Sequence, residues 1–291
     1  MLENISELVS FDKEIREAYD GLSLIGPSDD VKGVEALLQT LLLNEMYEYD
    51  PGELKGNVRT ESAKYRVVSM LQKAVRRGDI PMAKKAAYAM LTCPIPEVER
   101  YFWYRMAVIA LEDVNMGNPM AVGMVLASRT KGFRNTHDQV KMGVYLSELM
   151  AAGAKDRTAC DLVYLLECLD GAPYDKDTPR EVLQNKFMSD LPNPMWIESQ
   201  LVALYSLWGD DKLLDNKSLP IKADRDWVKA KIKDLNLSAI SQYILDTAPK
   251  TQRNALPLVT LLSAVAVERY EVEEVAVINM LPDAGKIKNV P

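Results

Sequence analysis

Residues Tyr101–Val114 read YFWYRMAVIALEDV. Apolar side chains recur there at helical spacing and on nearly every face, so the stretch belongs to a helix, predicted over 97–114, at the centre of a fold. Pro94 and Pro96 precede it. Gly117-Asn118-Pro119 ends it and opens a further helix over 119–129. The run closes on Glu112 and Asp113, two carboxylates where the helix dipole is negative, an unfavourable placement of a few tenths to about 1 kcal/mol each. Acids at that place need a partner, such as an arginine or the helix N-terminus near Pro119. Arg105 lies seven residues before Glu112, on nearly the same face. The pair reads as a polar latch between helices, with a functional surface as the alternative.

Working back toward the N-terminus, 61–77 carries Val67, Val68, Leu71, Ala74 and Val75 on one face, and Arg66, Lys73 and Arg77 opposite at i, i+7 and i+11. Gly78 stops that helix and Asp79-Ile80-Pro81 starts the next, over 81–92. Ala83, Ala86, Ala87, Met90 and Leu91 there imply a close approach to a neighbouring helix. Arg76, Lys84 and Lys85 lie near the basic stripe, and together these six residues are either a solvated surface or a set of phosphate contacts.

The rest of the chain is also helical in pattern, at 2–19, 30–48, 138–151, 157–169, 179–188, 194–207, 223–234, 236–247 and 253–271. Thr136 and Gln139 have the spacing of a capping box before 138–151. Gly209–Leu219 is a polar loop, and Glu271–Ile278 suits a helix or a short strand. Asp50–Gly56 and Asp170–Thr178 break the pattern. The expected organisation is therefore an all-α fold with an N-terminal helical pair (1–55), a helical core (56–170) and a C-terminal helical region (171–291). No fixed-period repeat is visible.

Composition narrows the function. The chain of 291 residues has a net charge of −7. A protein that coats nucleic acid indiscriminately is usually basic, so any DNA contact here must come from a local patch. Cys93, Cys160 and Cys168 are too scattered for a disulfide framework and read as buried small hydrophobes. The opening stretch is acidic and amphipathic, unlike a secretory leader, and the longest apolar runs, such as Met106–Leu111, are far shorter than a membrane span. The expectation is a cytoplasmic protein.

Catalytic motifs fail on inspection. Gly21–Ser28 has the spacing of a phosphate-binding loop, but Pro27 occupies the lysine position and offers neither an ammonium nor a backbone N–H. Ala107–Asp113 (AVIALED) resembles a Walker B run but continues a helical pattern. His137 is the only histidine, and no histidine metal cluster or Ser/His/Asp set can be built around it. The expectation is no catalytic residue, no cofactor and no metal.

The block SMLQKAVRRGDIPMAKKAAYAM (69–90) followed by RYFWYRMAVIALEDVNMGNP (100–119) resembles the C-terminal, non-ATPase region of the replication-associated recombination protein A (RarA/MgsA) family. The likeness rests on Ser69, Gln72, Lys73, Arg76, Asp79, Arg105, Glu112, Asp113, Val114 and Pro119. Asn115 stands where the family has glycine, and the family's AAA+ ATPase module is not in this sequence. The resemblance implies a helical collar that assembles subunits, hence a homo-oligomer, a tetramer ahead of a dimer. It also implies an accessory to DNA replication or recombination, phage-encoded, with DNA or replication proteins as partners. The alternative is a protein-interaction module, such as a phage factor that binds a host protein and never touches DNA.

Self-association has a second basis: the chain holds 14 methionines, and helix 253–271 is apolar around most of its circumference.

Overall fold

The computed structural model describes residues 31–157, 179–189, 225–235 and 237–251, together with Thr260 and Ala264. The sequence-based expectations for 2–19, 157–169, 194–207, the Gly21–Ser28 loop, the breaks near 170–178 and 209–219, and Glu271–Ile278 fall wholly or almost wholly outside these residues. All secondary structure among the described residues is helical, and none of it is strand. No described helix is long and apolar enough to cross a membrane.

The chain divides into two compact units, one of Met1–Asp156 with Ser238–Thr251, the other of Arg157–Leu237 with Gln252–Pro291. This differs from the expected division at 55 and 170. The buried Leu38, Leu41 and Leu42 of helix α1 (Val31–Glu48) belong to the same apolar cluster as residues of the 56–156 segment.

In the first unit, α2 (Ala63–Arg77) buries Val68, Leu71, Ala74 and Val75, the apolar face anticipated from spacing. Gly78 closes it in the left-handed conformation at φ 68°, with the Gly78 and Asp79 amides donating to the carbonyls of Val75 and Ala74. One residue on, the Asp79 carboxylate accepts from the Met82 amide and caps α3 (Ile80–Leu91). Helix α3 lies against α7 (Gln139–Ala152) so closely that a Cβ on Gly143 would collide with Leu91 of α3. Cys93, just past α3, is buried and its thiol reaches the Val58 carbonyl at 3.2 Å.

Helix α4 (Pro96–Ile109) buries Phe102, Trp103 and Met106 but keeps Arg100 and Tyr104 at the surface. The helix enclosed on every side is instead α5 (Pro119–Ser128), where each residue from Met120 to Ser128 is buried. Asn118 caps it by accepting from the Ala121 amide.

The next two elements depart from expectation. Lys131–Thr136 forms a short helix, α6, and the Thr136 hydroxyl donates back to the Gly132 and Phe133 carbonyls. The cap of α7 is therefore Asp138, which accepts from the Val140 and Lys141 amides at 3.0 and 2.9 Å, and not Thr136.

In the second unit the described helices are α8 (Arg180–Ser189) and α9 (Arg225–Asp234), with Leu183, Leu235 and Leu237 buried. Thr260 and Ala264 are helical and buried. The chain returns to the first unit through α10 (Ala239–Thr251), whose Ile240 meets Leu38 of α1 around Gly123 of α5. A Cβ there would lie 3.1 Å from Ile240 Cδ1 and 3.2 Å from Leu38 Cδ1.

Between α4 and α5 the backbone departs from α geometry. Ala110–Val114 forms a π-turn and Asn115–Gly117 a 3₁₀ turn. Gly117 is obligatory there, because a Cβ would sit 2.7 Å from the backbone of Lys155 and 2.8 Å from the Asp156 amide nitrogen. Asn115 carries φ 41° and ψ −133°, a conformation natural to glycine. Its side chain is 1% exposed, and neither amide atom has a hydrogen-bond partner. Strain of this kind is worth about 1–3 kcal/mol. Asn115→Gly is therefore expected to raise the unfolding free energy by about 1 kcal/mol once the lost packing is deducted, measured by urea denaturation.

Candidate functional site

The seam between α2 and α4 gathers four of the residues singled out in the sequence, Arg76, Arg105, Glu112 and Asp113. The Arg76 guanidinium is drawn inward. Its Nε donates to Asp113, its Nη2 reaches Glu112 Oε1 at 3.1 Å, and Asp113 itself has no exposed side-chain surface. Gln72 joins them, donating to Asp113 Oδ2 at 2.8 Å and Glu112 Oε2 at 3.2 Å, while its own carbonyl accepts from Arg105 Nη2 at 2.9 Å. Arg105 therefore reaches the acids through Gln72, and its buried Nε has no hydrogen-bond partner. The polar latch proposed for Glu112 and Asp113 has the geometry of an interhelical network built on Arg76.

Electrostatics sharpen this. Burial, and then the adjacent Glu112 charge, hold the Asp113 carboxyl above the usual carboxylate range, against the opposing pull of Arg76 and Gln72. Nearby, Lys155 donates to the Ala151 carbonyl at 3.0 Å and to the Gly153 carbonyl at the end of α7. Burial pushes its ammonium down to about 8, partly offset by Asp113.

The remaining basic residues divide. Arg66, Lys73, Arg77 and Lys85 are exposed. Lys84 is held 2.9 Å from Glu148 with its ammonium over the Tyr49 ring. Between Ser62 and Pro96 the chain carries seven basic residues against one acid, Asp79, although the whole protein is acidic. Three exposed cations thus share one stripe of α2 with no acid on that helix.

Two features were not anticipated. Tyr65 of α2 meets Tyr101 of α4 edge to face at 5.3 Å between ring centroids, and Tyr101 stacks with Tyr104 at 6.5 Å. Tyr65 and Tyr104 remain 59% and 44% exposed. The i, i+3 spacing of Tyr101 and Tyr104 within α4 was visible, but the contact across helices was not. Farther along, Arg129 and Arg134 lie within electrostatic range of each other, with no carboxylate in salt-bridge range among the described residues. Buried Nε and Nη1 of Arg129 and Nε of Arg134 lack hydrogen-bond partners, and Arg134 lies over the Trp103 ring. His137 is half-buried, its Nδ1 2.8 Å from the Phe133 carbonyl, and no metal-binding cluster occurs among the described residues.

No family model, curated protein or solved structure matches the chain.

Arg76→Ala removes a guanidinium that both neighbouring carboxylates bind. We expect a loss of about 3 kcal/mol at pH 8, whereas Arg77→Ala, with its exposed side chain, changes stability by less than about 0.5 kcal/mol. The Arg76→Ala deficit should narrow at pH 5. Asp113 binds its proton more tightly folded than unfolded, so it withdraws stability as pH rises through the window between its unfolded and folded values, and removing Arg76 widens that window. Urea denaturation of both variants at the two pH values checks this, and a deficit that grew on acidification would contradict it.

Proposed function

We propose that this chain is a non-enzymatic accessory of DNA replication or recombination that works as an oligomer and meets DNA through the basic face of α2. The observation that carries the reading is the stripe Arg66, Lys73 and Arg77, exposed together on a helix without acids, in a protein whose overall charge is negative. Phosphate neutralisation supplies most non-specific affinity for DNA, and such a stripe provides it locally while the acidic remainder limits binding elsewhere. The resemblance of 69–119 to a clamp-loader-like collar supports the same reading and carries the expectation of self-association. Arg76 and Lys84 have their charges committed inside the protein, which leaves Arg66, Lys73, Arg77 and Lys85 as the contact set.

Fluorescence anisotropy with a short labelled DNA tests this. Binding should be weak, independent of sequence and steeply salt-sensitive. The triple change Arg66→Glu, Lys73→Glu, Arg77→Glu should weaken it by more than about tenfold and flatten the salt dependence. Light scattering on the same samples should return the mass of a tetramer or dimer. Absence of DNA binding in a folded, oligomeric sample would turn the assignment to a protein-interaction module instead.

A further inference from the structure

We infer that the tyrosines Tyr65, Tyr101 and Tyr104, with the neighbouring Arg129 and Arg134, form a binding track for single-stranded nucleic acid. The inference rests on the proposed DNA-contacting role and narrows it to unpaired strands.

The ring ladder supplies the first half. Exposed aromatic side chains are usually scattered singly on a protein surface. Here three tyrosines from two helices are in successive ring contact, with Tyr101 between the other two, and both end rings are open to solvent. Lys64 lies 5.3 Å from the centroids of Tyr65 and Tyr101 and pairs with Glu61, holding the two rings about one ammonium. Base stacking on such rings is tolerant of sequence and requires unpaired bases, since in a duplex the base faces are already stacked.

The arginines supply the second half. Acidic residues outnumber basic ones in this protein, 42 to 35, yet among the described residues Arg129 and Arg134 stand together without a carboxylate partner. Burial, and then repulsion from Arg134, weigh against the Arg129 guanidinium's charge, and Tyr104 lies within electrostatic range of it. Two adjacent guanidiniums with buried, unpartnered N–H groups lack an anion. A phosphodiester matches that need, because guanidinium forks bind its oxygens in bidentate fashion. Tyr104 therefore joins a stacking ladder at one side to an anion-seeking pair at the other, the two elements a single strand requires. The stripe of Arg66, Lys73 and Arg77 lies on the same helix as Tyr65 and provides further backbone contacts.

The test is anisotropy on the full chain with labelled oligo(dT), oligo(U) and a duplex of equal length. A single strand should bind about tenfold or more tighter than the duplex. Tyr104→Ala should weaken single-strand binding by about tenfold, while Tyr104→Phe, which keeps the ring, should stay within about twofold of the unmodified protein. Arg134→Ala should reduce the salt slope for oligo(dT) by about one unit. The dT and U arms identify the sugar, and tight binding of either supports the track. Equal binding of duplex and single strand, unaffected by Tyr104→Ala but abolished by reversing Arg66, Lys73 and Arg77, would overturn the track and leave the proposed function standing. No binding to any of the three would overturn both. Circular dichroism on each variant establishes that it is folded.

Discussion

Two carboxylates, Glu112 and Asp113, sit at the end of a helix where its own dipole repels them, and one of them has no exposed surface. That placement is unfavourable unless a cation is brought to it, and the cation comes from another helix. Arg76 and Gln72 lie one turn apart on α2, so satisfying the acids docks that turn of α2 against the end of α4. The contacts Tyr65–Tyr101, Gln72–Arg105 and Arg76–Glu112 follow the same order along both helices, which therefore run in the same direction. A buried ion pair contributes little net stability against an apolar replacement, but it penalises alternative registers in which the charges are left unpaired. In this seam its role is to select the register.

The local geometry at the acids follows from the same demand. A π-turn at Ala110–Val114 and a 3₁₀ turn at Asn115–Gly117 replace regular helix, and the chain passes so close to 154–156 that Gly117 admits no side chain. The Asp156 amide donates to the Val114 carbonyl at 3.1 Å, tying the turn to the end of α7. Asn115 is held in a glycine-like conformation by these surroundings. Strain at one residue persists because the contacts on both sides over-determine it.

These details also mark what was legible in the sequence. The longer helices of the first unit were, because their apolar periodicity is strong, and so was the Gly78–Asp79 junction, where stop and cap are local chemistry. The pairing of Glu112 and Asp113 with an arginine was anticipated in kind, but Arg105, favoured by its position on the same helix, reaches them through Gln72, and Arg76 on a neighbouring helix takes the direct role. The π-turn was hidden because AVIALEDV keeps a helical apolar pattern while its hydrogen bonding changes. Thr136 was misread as a cap because threonine can equally bond back into the turn before it, and Asp138 is the stronger acceptor. The division into units escaped notice because α10 returns to its core from far along the chain, and local pattern carries no information about which distant helix fills the groove between α1 and α5.

The seam also connects the interior to the surface. From Arg76 back to Tyr65 is eleven residues of continuous helix, roughly 16 Å at 1.5 Å per residue, so fixing one end of α2 fixes the azimuth of the other. At the Arg76 end, ionic and amide contacts hold the two helices together. At the Tyr65 end, the same relation brings a tyrosine of α2 into edge-to-face contact with Tyr101 of α4. Rotating α2 by one residue, about 100°, would carry Arg76 away from its carboxylates and Tyr65 away from Tyr101 together. A buried charge pair and an exposed ring ladder are thus two readings of one register, and the polar residues inside act as positioning residues for the aromatic surface outside.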